Sequence, residues 1–387
     1  MNTIEKFNNN VMHTYGRYDL VLDKGNGRDA TAEDNKQYID FGSGIGTNSL
    51  GYCDSDWVEA VCNQAKSIQH TSNYYYTKIQ AEFSEKLCQS TGYDKVFFGN
   101  SGAEANECAI KIARKYSFDK YGENRNTIIT LVNSFHGRTL CTLSATGQDS
   151  FHQYFFPFVG GFVHTPANDI EALKSVVDDS VCAIMVEFVQ GEGGVVKLDE
   201  EFVKAVRSIC DEKDILMIAD EVQTGIGRTG KLLAAEHFGV KADITTLAKG
   251  LAGGIPIGAC LAVEKCSSVL TPGTHGSTFG GNPLACAGGN VVMTKVCSEG
   301  FLDEVSKKSE YIFSKLKNIK GVESVSGLGL MIGITLTEKK AADVVKAALD
   351  KGLLLLTAKE KVRLLPPLTI TYEEIDKGIG ILSELLA

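Results

Sequence analysis

The chain contains no C-x-x-C pair, no internal repeat and no low-complexity linker. No apolar run approaches the ~18 residues that a bilayer-spanning helix needs. Its eleven cysteines are scattered and odd in number, which excludes a disulfide framework and a zinc knuckle as organising devices. A reducing compartment is expected, and no metal. Positive charge is in deficit, with 39 Lys and Arg against 48 Asp and Glu and a formal net charge of -9. Such a balance disfavours a phosphate backbone as partner, so no nucleic acid is expected, although it allows a local basic pocket. The opening MNTIEKFNNNVMHTYG lacks a basic segment followed by an apolar one, so the expectation is a soluble, cytoplasmic protein without a membrane partner.

What is present is a large apolar content, 43% of 387 residues, enough for a sizeable core and for two or more lobes. Between about Ile79 and Val263, helical patterns alternate with the runs KVFFGN, TIITLV, VCAIMVEFV, ILMIADEV and ADITTLAKG. Short Val/Ile/Phe-rich runs bounded by polar or glycine-rich turns read as buried strands, and their alternation with helices predicts an α/β fold with a largely parallel sheet. The loops at the strand ends are then expected to hold the site. Further on come a charged helix over Phe301–Asn318, strand-like GLGLMIGITL and GLLLLT, and an amphipathic helix from Tyr372. These predict a smaller C-terminal lobe that shares its structure with the first fifty residues: 1–50 and 296–387 against a large domain at 51–295.

The stretch ILMIADEVQTGIGRTGKL, residues 215–232, admits three chemistries. Gly225 to Lys231 satisfies G-x-x-x-x-G-K, but Leu232 follows where a P-loop needs a hydroxyl to hold magnesium. Gly225, Gly227 and Gly230 satisfy G-x-G-x-x-G, yet Asp220 to Thr224 separate them from the strand, and two acids would repel a pyrophosphate. The third chemistry starts from Asp220, an acid at the end of an apolar strand that needs a cationic partner or a capping role. Downstream, Lys249 in ITTLAKGLAGGIPIGA lies among apolar and small residues, where lost hydration lowers its pKa and makes it a nucleophilic amine suited to Schiff bases. Pyridoxal 5'-phosphate, an aldehyde on a ring whose nitrogen becomes cationic, would satisfy both residues.

These segments, together with NSGAEANECAIKIAR, SFHGRTL, QGEGGV and GSTFGGNPLACA, resemble the class III, ornithine-type aminotransferases that use pyridoxal phosphate, and within them the acetylornithine branch. The similarity runs in order from about Tyr15 to Pro367. It implies a fold type I transferase, with a mainly parallel seven-stranded sheet in the large domain and a smaller α+β domain. It implies that Lys249 carries the cofactor covalently and moves protons, that Asp220 faces the ring nitrogen, and that Gln223 meets the ring hydroxyl or Lys249, with Glu221 and Val222 on the same cofactor-binding loop. The start of a helix in FFGNSGAEANE is a natural anion site, and the resemblance puts the cofactor phosphate on Ser101, Gly102 and Ala103; the plainer reading is Ser101 as a helix cap on Glu104. Phe135 is expected to stack on the ring and Arg138 to bind the remote carboxylate of the substrate. Thr278 is expected to reach the phosphate from a partner subunit, which implies a homodimer with sites at its interface. Arg363 matches the arginine that grips the α-carboxylate of glutamate or 2-oxoglutarate, and Glu192 the acid that neutralises it when the other substrate is bound. That other substrate would be N2-acetyl-L-ornithine, giving an amino transfer of arginine biosynthesis.

Two segments depart from the family pattern: Gly51-Tyr52-Cys53-Asp54 stands for G-H-x-H-P, and Phe188-Val189 for the P-x of E-P-x-Q-G-E. Specificity rests on less. Ile45 occupies a place where ornithine aminotransferases tend to have tyrosine, and Ser277 with Arg138 is suited to the acetamide and carboxylate end. Ornithine, succinylornithine, succinyl-diaminopimelate and 4-aminobutyrate remain alternative donors. An aminomutase would need no 2-oxoglutarate, and a nucleotide-binding regulatory protein would show no cofactor-lysine absorption.

Overall fold

The computed structural model describes residues 1–387. Its central sheet has seven strands: β1 (Lys95–Gly99), β2 (Thr127–Leu131), β3 (Phe162–Thr165), β4 (Val181–Val186), β5 (Leu216–Asp220), β6 (Ile244–Leu247) and β7 (Gly258–Ala262). They lie in the order β1-β7-β6-β5-β4-β2-β3. All neighbouring pairs are parallel except those of β7, which runs antiparallel to β6 and to β1. Every residue of β4 and β5 is buried, because helices cover both faces of the sheet and leave no side for polar alternation. On one face the helix Gly102–Tyr121 packs through Ala105, Cys108, Ala109 and Ala113; on the other, the helix Glu200–Lys213 packs through Phe202, Val203, Val206 and Cys210. Each large apolar side chain so enclosed contributes roughly 1.5–3 kcal/mol.

All five strand-like runs of the sequence lie in this sheet, but two of its strands carried no such signal. Phe162–Thr165 is short and half-buried, and Gly258–Ala262 (GACLA) is built mostly of small residues with no β-branched member. Gly258 is small for a reason: a Cβ there would lie 2.1 Å from the carbonyl oxygen of Ser101. The run VCAIMVEFV also ends earlier than expected, at Val186, and Val189–Gln190 belongs to a separate hairpin with Val196–Lys197.

The remaining strands form two smaller sheets. The antiparallel strands Leu22–Asn26, Asp29–Ala32 and Gln37–Asp40 are joined in parallel by Leu353–Leu354, with Leu353 opposite Ile39. Val322–Leu328, Met331–Leu336, Lys361–Leu364 and Leu356–Ala358 form an antiparallel four-stranded sheet, attended by the helices Phe301–Leu316, Ala341–Asp350 and Tyr372–Leu386. GLLLLT is therefore divided between two sheets, and GLGLMIGITL is a hairpin that turns at Gly329 and Leu330 rather than one strand. No helix is long and apolar enough to cross a membrane.

Candidate active site

Five segments that follow the carboxyl ends of parallel strands converge: Asn100–Ala103 after β1, Phe135–Gly137 after β2, Glu187 after β4, Val222–Gln223 after β5, and Ala248–Lys249 after β6. They line one cavity of about 370 Å³. In a parallel sheet these ends open on the same edge, so residues far apart in sequence meet there.

Lys249 opens a short 3-10 turn, Lys249–Ala252, at φ 42°, a conformation uncommon for a residue with a side chain. Burial pushes its ammonium pKa down, and the charge of Arg363 adds to this against the opposing charges of Glu192, Asp220 and Glu187. Asp220 ends β5 and is 4% exposed. Its Oδ2 accepts from the side-chain amide of Asn106 and from His136 Nδ1, both at 2.8 Å, while Oδ1 accepts from the Val222 N–H at 3.1 Å. Thr246 Oγ1 donates to Asn106 Oδ1 at 2.7 Å and so fixes which end of that amide faces Asp220. Burial pulls the His136 imidazole down, yet the hydrogen bond and charge of Asp220, with the charge of Glu187, leave it above its ordinary value. Glu187 is itself pushed up to about 7, chiefly by burial, and accepts the Phe135 N–H at 2.9 Å.

His136, Asn106, Thr246 and Glu187 were absent from the sequence reading. A signal existed for two of them: His136 lies inside the quoted SFHGRTL, and Asn106 is a polar residue on the buried face of a helix.

At the other end of the cavity the helix Gly102–Tyr121 begins. Ser101 caps it as the plainer reading had it, accepting from the Glu104 N–H at 3.2 Å and donating to Glu104 Oε2 at 3.1 Å. Its hydroxyl is thus engaged, and the first-turn N–H groups at Gly102 and Ala103 are the free donors. A Cβ on Gly102 would come within 2.7 Å of Val222 Cγ1, so glycine is what lets the strand-end loop close against the helix start. The set fits pyridoxal phosphate: an anion-accepting helix start, a poorly hydrated amine and a buried carboxylate surround one ring-sized space.

Arg363, 3% exposed, donates from Nη1 to Glu192 Oε1 at 2.6 Å and lies 3.4 Å from Gln223 Oε1. Glu192 sits at the tip of the Val189–Lys197 hairpin. A Cβ on its neighbour Gly191 would lie 2.3 Å from Gln223 Oε1, so glycine there brings hairpin and strand-end loop into contact.

Other expected residues lie elsewhere. Glu221 turns away from the cavity: its carboxylate accepts from the N–H groups of Ala234 and Ala235 and from Thr224 Oγ1, which corrects its expected place among the cofactor contacts. Adjacent residues at a strand end face opposite ways, and only one acid of the pair points inward. Arg138 is exposed, with its guanidinium over the rings of Phe151 and Phe135 at 5.1 and 5.9 Å. Ser277 and Thr278 line a different, outer depression beside His70, Asn73 and Tyr74. The Ser277 hydroxyl accepts from Asn100 Nδ2 at 3.1 Å and from the Gly280 N–H at 3.0 Å. Ile45 is left-handed at φ 62° and exposed.

Residues 11–386 match the family model described as aminotransferase class-III. The chain is 52% identical over 381 residues to an acetylornithine aminotransferase of Haemophilus ducreyi, covering 98% of this chain and 97% of that one. Among solved structures it is similar to the ornithine aminotransferase from Toxoplasma gondii, with a TM-score of 0.95 at 32% identity over 99% of this chain and 94% of that one. It is also similar to the N-acetylornithine aminotransferase from Stenotrophomonas maltophilia, with a TM-score of 0.85 at 35% identity over 96% of each.

Proposed function

Because this chain belongs to the class III aminotransferases, which are pyridoxal-phosphate enzymes, we propose that it transfers the terminal amino group of N2-acetyl-L-ornithine to 2-oxoglutarate. The products are N-acetyl-L-glutamate 5-semialdehyde and glutamate. The amine donor is taken from the relatives named for it. The observation that carries the pair of substrates is the Arg363–Glu192 contact of 2.6 Å beside Gln223, a residue that lines the Lys249 cavity. Such a pair offers a cation to a substrate with an α-carboxylate and covers it for one whose reacting amine has none. An uncovered buried cation costs several kcal/mol.

When bound, the cofactor supplies a covalent carrier for nitrogen and an electron sink for the carbon that loses a proton. Lys249 would hold it through Nζ and afterwards pass protons at the same atom, which its lowered pKa permits. Asp220 would oppose the ring nitrogen, kept in orientation by His136 and Asn106. Phe135 would cover one ring face, and the Gly102 and Ala103 N–H groups would take the phosphate. Gln223 lies between Arg363 and the cavity and would orient the bound ring or the lysine. Arg138 and Ser277 would meet the acylated end of the donor.

We read the working unit as a cytoplasmic homodimer in which Thr278 serves the partner's phosphate site, and the chain as divided at 1–50, 51–295 and 296–387. Support for the dimer comes from a patch of aromatic rings, with Tyr74 93%, Tyr76 104% and Phe279 59% exposed. Asn73 ties that patch together by donating to the Ser277 and Gly280 carbonyls. Exposed apolar groups this concentrated mark an interaction surface.

The test is a single half-reaction followed through the visible band of the lysine-bound cofactor. N2-acetyl-L-ornithine should discharge it at least about tenfold faster than ornithine, 4-aminobutyrate or succinylated amines. A faster reaction with free ornithine would overturn the choice of donor.

A further inference from the structure

We infer that Val195 is a positioning residue for the Arg363–Glu192 pair: seated in a notch made by two glycines of the sheet that carries Arg363, it sets how closely Glu192 covers that arginine. The inference rests on the reading of this pair as a carboxylate switch, and it names what holds the switch in place.

Glu192 stands among Gly191, Gly193 and Gly194, and glycine backbones have too much freedom to hold a carboxylate at one distance from a guanidinium. The next residue behaves in the opposite way. Val195 is fully buried and has φ 53°, a left-handed conformation that a β-branched residue adopts only where its surroundings over-determine it.

Those surroundings are the strands Val322–Leu328 and Met331–Leu336. A Cβ built on Gly333 would lie 2.8 Å from Val195 Cβ, and one on Gly327 would lie 3.0 Å from Val195 Cγ1. The valine therefore fills the space that Gly333 leaves open and packs against Gly327, where a Cβ would also meet the Met331 carbonyl oxygen at 2.0 Å. Gly333 is the cross-strand partner of Arg363 on one side and of Ser326 on the other. Directly opposed residues share a face of the sheet, so Val195 rests beside the root of Arg363. Ser326 Oγ donates to the Val195 carbonyl at 2.9 Å, and Lys361 Nζ donates to Ser326 Oγ at 2.9 Å. Side chain and carbonyl are both fastened, and the glycine-rich tip is clamped to the strand pair three residues beyond Glu192.

The consequence is a division of affinity. A clamped tip keeps Glu192 competing for Arg363 against any dicarboxylate; a displaced tip leaves the arginine open to dicarboxylates and uncovered when the amine donor is bound.

Gly333→Ala puts a methyl group against Val195 and should displace the tip. In the holoenzyme, the dissociation constant of glutarate, a dicarboxylate that cannot react, should fall at least about threefold, while the half-reaction with the amine donor slows relative to that with glutamate. Val195→Gly removes the knob and should act in the same direction. In Val195→Gly/Gly333→Ala the new methyl meets no knob, so the effect should fall short of the sum of the two single changes. Glu192→Gln is the reference. If it tightens glutarate binding but neither Gly333→Ala nor Val195→Gly does, the inference about the notch is overturned and the switch reading stands. Equal losses in both half-reactions with unchanged glutarate affinity also overturn it, since a general packing defect acts that way. If Glu192→Gln leaves glutarate binding unchanged, the switch reading fails and this inference with it.

Discussion

Two adjacent acids, Asp220 and Glu221, show how far side-chain direction decides chemistry. Both follow the same apolar strand, yet one faces the cavity and the other is enclosed by backbone N–H groups. Burial raises the Glu221 carboxyl to about 7, although its three hydrogen bonds oppose the rise. A carboxyl whose folded pKa exceeds its unfolded value contributes stability fully below the unfolded value, and this is lost as pH rises through the folded one. The contribution is therefore present below about pH 4.5 and gone above about pH 7, on the order of 3 kcal/mol at most. Glu221→Gln should flatten this dependence. Calorimetry of the apoprotein at pH 5 and pH 8 should show a smaller fall in Tm for the variant than for the parent. Lys249→Ala should reduce turnover at least ~1,000-fold. Borohydride reduction followed by peptide mapping should attach no cofactor at position 249 in the variant and should attach it there in the parent.

At the scale of elements, the strand Gly258–Ala262 and the helix Tyr372–Leu386 make a controlled comparison. A Cβ on Gly258 would lie 2.1 Å from the Ser101 carbonyl oxygen, where nothing flexible yields, whereas one on Gly380 in the helix would have nothing within 4 Å. Gly258→Ala should push the start of the helix Gly102–Tyr121 away from the sheet, costing about 1–3 kcal/mol and weakening cofactor retention. Gly380→Ala should stabilise by up to about 1 kcal/mol, because alanine loses less freedom in a helix. Thermal melts of both variants and equilibrium dialysis of the cofactor check the pair. Four of the five runs that read as strands were legible because burial on both faces selects apolar and β-branched residues, and KVFFG at the sheet edge through its Val and Phe residues. The strand GACLA was not, because close approach of the Ser101 backbone requires glycine at its first position and four of its five residues are small, which removes the pattern.

For the whole molecule, the proposed placing of Thr278 across a dimer interface has a direct test. Neither Thr278→Ala nor Lys249→Ala subunits should be active alone. Subunits of the two kinds, dissociated together and reassociated, should form hybrids in which one of the two sites is intact, restoring about a quarter of the parent activity for random pairing in a two-fold dimer. No recovery, with hybrids demonstrated by mass, would place Thr278 in its own protomer's site. Changing Tyr74 and Tyr76 together to serine should shift the species seen by analytical ultracentrifugation toward the monomer.

Lys249, Asp220, the capped helix start and the α/β class were readable along the chain because each depends on neighbours within a few positions: an apolar run, a cluster of small residues, a strand followed by a turn. The family pattern extended that reading to Arg363 and Glu192. What tertiary structure alone decided are the pairings across long intervals: His136 and Asn106 on Asp220, 84 and 114 residues away, Arg363 on Glu192, 171 residues away, and Val195 in its notch between Gly327 and Gly333. Local sequence sets which residues prefer a strand, a turn or a helix. Only closure of the sheet brings their ends to one edge, and a hydrogen bond or a fitted methyl group exists only once that closure has occurred.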